Sequence, residues 1–137
     1  MHSERSDVTS NNLIGFDSGY FLLDCTLRDG GYYNSWNFSP ELIQEYIYAM
    51  HAASINVIEI GFRSINTDGF KGPCAYTTDE FLETLRIPSE LVIGVMVNGS
   101  ELASTDTQET TLHALFPLPA SESQVQLVRI ACYSHEF

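Results

Sequence analysis

The residues best equipped for chemistry are Asp24-Cys25-Thr26-Leu27-Arg28-Asp29-Gly30-Gly31. They follow a short apolar run, Tyr20-Phe21-Leu22-Leu23, so a strand ends there and a cation and a carboxylate sit on the glycine-hinged turn that leaves it. Parallel α/β folds place their chemistry at that end of a strand. A carboxylate there can hold a divalent metal, and an arginine beside it can steady an oxyanion. The plainer reading is a solvated Arg-Asp pair on a strand–helix loop.

A second carboxylate stands in a run that is otherwise apolar, Val57-Ile58-Glu59-Ile60-Gly61. Side chains alternate along a strand, so Ile58 and Ile60 point one way and Val57 and Glu59 the other. Covering helices need an apolar face, which puts Ile58 and Ile60 beneath them and Glu59 in the opposite layer. An unpaired carboxylate buried in a plain core costs about 3 to 5 kcal/mol. Glu59 therefore needs a metal, a cation or strong donors. Arg28 and Arg129 are the candidates, each near the C-terminal end of a predicted strand. Asp24, on the face opposite Leu23 and Cys25, is a further candidate for substrate binding or support. The plainer reading makes Glu59 a structural partner of one arginine.

The elements that must position these residues alternate. Tyr20 to Cys25 reads as a first strand. Ser39 can cap a helix with Pro40 at its first position, and Leu42, Ile43, Tyr46, Ile47, Met50 and Ala53 recur at helical spacing. Val57 to Gly61 is a second strand, followed by a long loop from Phe62 to Tyr76. Thr77 and Glu80 have capping-box spacing, which predicts a short helix to about Arg86, stopped by Pro88. Leu91 to Val97 is a third strand, apolar throughout as a strand buried on both faces is. A helix over Gln108 to Leu115 and a fourth strand over Val125 to Ala131 complete the pattern. Strands alternating with helices predict a parallel sheet with right-handed crossovers.

Composition excludes several function classes. The 137 residues are one domain or part of one, with 44% apolar and 12% aromatic content, enough for a packed core. Eighteen acidic against 6 basic residues give a net charge of −12, which argues against nucleic acid and against an anionic membrane surface. Cys25, Cys74 and Cys132 are far apart, with no Cys-x-x-Cys pair, so reduced thiols and a cytoplasmic setting are the expectation. The first residues, Met1 to Asn12, lack an apolar signal core, and no apolar run is long enough to span a bilayer. Residues 1–19 read as a polar tail and 20–137 as the folded part.

Taken in order, these motifs resemble a known superfamily. Asp24 to Gly31 is similar to the strand-one signature of the DRE-TIM metallolyases. These include 3-hydroxy-3-methylglutaryl-CoA lyase, pyruvate carboxyltransferase domains and 4-hydroxy-2-oxovalerate aldolase. Gly30-Gly31-Tyr32-Tyr33-Asn34-Ser35-Trp36-Asn37-Phe38, Ile58-Glu59-Ile60-Gly61-Phe62-Arg63 and Phe70-Lys71-Gly72-Pro73-Cys74-Ala75-Tyr76 look like the aldolase branch, and Val128-Arg129-Ile130-Ala131-Cys132 fits the fourth-strand motif. The resemblance implies an α/β fold, the N-terminal half of a (β/α)8 TIM barrel. It also implies a divalent metal, Mg2+ or Mn2+, and carbon–carbon lyase or aldolase chemistry on a 2-oxo acid through a pyruvate enolate. In those terms Asp29 is a metal ligand and Arg28 stabilises the enolate oxygen. Glu59 orients the metal shell or the substrate, and Arg129 lines the site from strand four.

The chain departs from that pattern twice. The aldolases carry a basic histidine three residues after the metal-binding aspartate, where this chain has Tyr32. A phenol with an ordinary pKa near 10 is a poor base at neutral pH, so Tyr32 and Tyr33 are weak acid/base candidates and serve equally well as packing aromatics. The family also draws two metal ligands from a late His-x-His motif. His2, His51, His113 and His135 form no such pair. Four strands are half of the eight, so the reading is a chain truncated after strand four. Such a fragment is expected to be inactive by itself and to self-associate through exposed strand edges. A non-catalytic relic or interaction module, or a half barrel that dimerises, are the alternatives.

Overall fold

The computed structural model describes residues 20–103 and 107–133. The polar tail and His135 lie outside them. Four strands form one parallel sheet in the order β1-β2-β3-β4, namely β1 (Leu23–Asp24), β2 (Val57–Phe62), β3 (Val92–Asn98) and β4 (Val125–Ala131). Each strand lies beside its predecessor with no reversal of order. A doubly wound sheet reverses at its switch point, whereas a barrel keeps chain order, so this is the strand arrangement of the first half of a (β/α)8 barrel. No helix among the described residues is long and apolar enough to cross a membrane.

The helices are α1 (Thr26–Gly30), α2 (Pro40–Ala52), α3 (Asp79–Glu83) and α4 (Gln108–Leu115). Helix α2 starts as its sequence dictates: the Ser39 hydroxyl accepts from the Leu42 N–H, and Pro40 occupies the first turn. Ile43 and Ile47 are fully buried on its inner face. They pack with Ile58 and Ile60 of β2, Ile93 and Val95 of β3, and Leu82 of α3 in a single core. The helix-covered face of the sheet is thus the Ile58/Ile60 face, as alternation requires.

Three local expectations are corrected. The first strand pairs over only Leu23 and Asp24, because α1 begins at Thr26 where a turn was expected. Asp24 causes this: its Oδ1 accepts from the Thr26 N–H at 2.9 Å and closes the chain into a helical turn. The cap of α3 is Thr78, whose hydroxyl accepts from the Phe81 N–H, rather than Thr77. Thr77 is buried at φ +40° and donates its hydroxyl to the Cys74 carbonyl. Helix α3 ends at Glu83, short of Arg86, with the Thr84 hydroxyl donating to the Phe81 carbonyl.

Both inner strand pairings carry a bulge. Between β2 and β3 the register runs Glu59↔Gly94 and then Gly61↔Val95, leaving Ile60 as the extra residue. Between β3 and β4 it runs Ile93↔Val125 and then Gly94↔Leu127, leaving Gln126 as the extra residue. The Gln126 side chain accepts from the Ile93 N–H at 3.4 Å, within the stretch the bulge interrupts. Each extra residue inverts the alternation beyond it, with consequences for the site.

Candidate functional site

Strict alternation along β2 would put Gly61 on the Glu59 face and Phe62 under the helices. The bulge exchanges them. Gly61 aligns with Val95 of the core, and Phe62 aligns with Met96 on the Glu59 face. The bulge in β4 does the same for Arg129, which aligns with Met96. Phe62, Arg129 and Glu59 therefore share one face only because two strands each carry an extra residue.

On that face Glu59 is completely buried and lies between two guanidinium groups. Arg28 Nε donates to Oε1 at 2.6 Å. Arg129 Nε donates to Oε2 at 2.6 Å, and its Nη2 donates to Oε1 at 3.1 Å. A carboxylate with no solvent contact is thus compensated by three charge-assisted hydrogen bonds, one from α1 and two from β4. Both arginines expected as partners hold it together.

Arg28 also reaches Asp29: Nη1 lies 2.5 Å from Oδ1. Burial pushes the Arg28 guanidinium down, but the hydrogen bond and charge of Glu59, aided by Asp29, outweigh it and hold the pKa above its ordinary value. Asp29 is 56% exposed, so this contact adds little to stability. Its other oxygen, Oδ2, accepts from the Cys25 thiol at 3.1 Å. That hydrogen bond, with burial behind it, raises the thiol pKa. Two arginines and two carboxylates make the cluster formally neutral, and Asp29 is its solvent-facing member.

Asp24 does not join them. It aligns with Ile58, on the helix side of the sheet, and its Oδ1 accepts from the Tyr46 hydroxyl of α2 at 2.6 Å. This corrects its assignment to the site: Asp24 fastens β1 to α1 and α2. Burial pushes its carboxyl up, yet the hydrogen bonds from Tyr46 and Thr26 together hold it below the ordinary value. The Tyr46 phenol is raised, by burial first and by Asp24 second.

Tyr32 follows α1 on a 3-10 turn, Gly31–Tyr33. Its ring meets Trp36 edge-on at 4.8 Å and Phe62 at 6.2 Å. Trp36 meets Phe62 at 5.5 Å, and the Phe62 ring lies 5.8 Å from the Arg28 guanidinium carbon. Tyr32 is thus part of an aromatic wall beside Arg28, and Tyr33, 95% exposed, is outside it. Trp36 Nε1 donates to the Arg28 carbonyl at 2.8 Å, which fastens the wall to α1. A Cβ on Gly31 would fall 1.9 Å from the Trp36 ring, so glycine is required for the indole to lie there.

The two described histidines are elsewhere. His51, in the last turn of α2, lies 3.7 Å from Glu90, and His113 on α4 lies 4.0 Å from Glu109. No group of three or more His, Cys, Asp or Glu side chains among the described residues is arranged to hold a metal. Glu59 spends its oxygens on arginines, while Asp29, whose oxygens meet Arg28 and the Cys25 thiol, is the exposed carboxylate of the cluster.

Sequence reasoning missed Phe62, Trp36, Lys71 and Asn98 as neighbours of the site. With Tyr32, Ser64 and Ala75 they line a cleft of about 140 Å³ at the C-terminal ends of β2 and β3. Two glycines, Gly61 and Gly72, were the available signal. A Cβ on Gly61 would fall 1.9 Å from the Cys74 carbonyl oxygen. One on Gly72 would fall 2.3 Å from the Asn37 Cα, so the 62–76 loop is pressed against both β2 and the Trp36 turn.

No family model matches the chain, and no curated protein does. Among solved structures it is similar to the N-terminal domain of a "putative aldolase" from Bacteroides vulgatus. The identity is 31% over 81% of this chain, with a TM-score of 0.61. The chain spans about a third of that structure's length, 35%. The likeness supports an aldolase-like fold.

Proposed function

We propose that residues 20–137 form the first half of the active-site barrel of a carbon–carbon lyase or aldolase that acts on a 2-oxo acid through a pyruvate enolate. The observation that carries this reading is the fully buried Glu59 held by Arg28 and Arg129 at the C-terminal end of the sheet. A structural ion pair needs one cation. Two guanidiniums locked on one carboxylate, with an exposed Asp29 attached, make a rigid array of charge at the strand ends where parallel α/β proteins work.

Arg28 would set a fixed positive charge against an enolate oxygen. Glu59 positions that guanidinium and cannot move without unpairing two charges. Arg28 commits its Nε to Glu59 and its Nη1 to Asp29, and Nη2 would be the atom set against an oxyanion. Asp29 would give one ligand to Mg2+ or Mn2+. The rest of the coordination would come from outside the described residues. Tyr32 is close enough to the wall to contact substrate.

The test is pyruvate release from a 4-hydroxy-2-oxo acid with Mn2+. A longer polypeptide that continues into strands five to eight is expected to turn over, and residues 1–137 alone are not. Turnover by the 137-residue chain would overturn the assignment of missing ligands to a later segment. Full activity in an Asp29→Asn form of the longer polypeptide would overturn the role of Asp29.

A further inference from the structure

The cleft beside Arg28 has a chemistry of its own. One wall is apolar, formed by the rings of Tyr32, Trp36 and Phe62, which meet one another edge-on. The lining also holds Lys71, half-buried, with Ser64 and Asn98 as neutral polar neighbours. The chain has 6 basic residues against 18 acidic ones. Arg28, Arg129 and Arg63 each hold a carboxylate. Lys71 does not: among the described residues its ammonium meets only the Asn66 carbonyl, at 3.5 Å. A half-buried cation without a carboxylate partner among the described residues, in so acidic a chain, can pair with an anionic ligand.

The walls are also held rigidly. Ser35 and Trp36 both adopt left-handed backbone, φ +57° and +56°, a costly conformation for a bulky residue. The Gly72 N–H donates to the Ser35 carbonyl at 2.8 Å, so the loop bearing Lys71 is fastened to the turn bearing Trp36. Strained backbone maintained by neighbouring contacts is characteristic of ligand clamps.

We propose that this cleft is a second subsite, taking a ligand with an apolar body and a single carboxylate: the body lies against Tyr32, Trp36 and Phe62, and the carboxylate pairs with Lys71. In the reaction proposed above, which this placement rests on, the ligand is the tail of the aldehyde partner. The pairing itself does not depend on that reading.

Trp36 is the only tryptophan in the chain, so its fluorescence reports occupancy directly. The probe is 3-phenylpropionate, compared with uncharged 3-phenylpropanol and with butyrate, which lacks the ring. The subsite predicts a saturable change with 3-phenylpropionate and about ten-fold weaker binding of both comparison compounds. Lys71→Met should weaken the probe by a similar factor and Lys71→Arg should retain it, each with unchanged far-ultraviolet dichroism. Equal affinity for phenylpropanol, or no saturable change at millimolar probe, overturns the subsite without needing any variant. Asp29→Asn should leave probe binding within two-fold. In the longer polypeptide that continues into strands five to eight, probe binding that persists while oxalate with Mn2+ fails to bind separates a failed enolate site from an intact subsite, and the converse result removes the subsite alone.

Discussion

Glu59 is the residue on which the cluster depends. It is inaccessible to solvent and accepts three hydrogen bonds from two arginines. Removing it leaves Arg28, whose side chain is 12% exposed, with only the exposed Asp29 as counter-charge, while Arg129, 42% exposed, can turn to water. Glu59→Ala is therefore expected to cost about 3 kcal/mol, the low end for breaking a buried pair, measured by urea denaturation. A loss under 1 kcal/mol would mean that the arginines do not need it. Asp24 and Asp79 govern the acid limb. Asp79 is pushed up by burial, but the Arg63 guanidinium and the Ser123 hydroxyl hold it below the ordinary 3.8, as Tyr46 and Thr26 do for Asp24. Depressed folded pKa values mean the unfolded chain binds protons first. Their stabilisation is complete above the unfolded value near 3.8 and is lost as pH falls through the folded values. Asp24→Asn should destabilise the protein at pH 7 and flatten the acid limb of a melting-temperature profile. A parallel downward shift at every pH would contradict this.

At the scale of elements, much of the order was legible from pattern. Pro40 behind Ser39 and the isoleucine spacing locate α2, and the apolar runs locate β2, β3 and β4 within a residue of their observed ends. The opposition of Glu59 to Ile58 and Ile60 was also legible, because alternation holds up to the bulge. The bulges were not. A bulge is set by what packs against the strand, and for β2 that is the Cys74 carbonyl resting on Gly61, a contact 13 residues distant. Phe62 and Arg129 thus reach the site face by a mechanism that period-two reasoning cannot contain. Arg129 was nominated for its charge near a strand end, and Phe62 carried no such marker. Asp24 misled for a related reason: a strand-end carboxylate serves a site or a helix cap equally well until the register is known. Gly61→Ala tests this account. Its new Cβ must displace backbone rather than a side chain, so a loss of about 2–3 kcal/mol is expected. Full stability in that variant would mean the loop does not press on β2.

At the scale of the molecule, both outer strands present apolar surface. Phe21 and Leu22, beside β1, are 46% and 55% exposed, and Val128 and Ile130 of β4 are 44% and 56% exposed. Neither β1 nor β4 has a strand on its outer side among the described residues. Edges of this kind pair with further strands. The 137-residue chain is expected to associate with rising concentration in sedimentation velocity, and Ile130→Lys should reduce that association. A monodisperse monomer at high concentration would argue that the edges are satisfied in another way. The central claim is that the Arg28–Asp29 turn stabilises an enolate beside a metal. Its most direct test is binding of oxalate, a stable enolate mimic, to the longer polypeptide that continues into strands five to eight, in the presence of Mn2+, followed by water-proton relaxation. The account predicts saturable binding that Arg28→Met and Asp29→Asn each weaken about ten-fold or more. Oxalate binding that is absent, or that both variants leave unchanged, would contradict it.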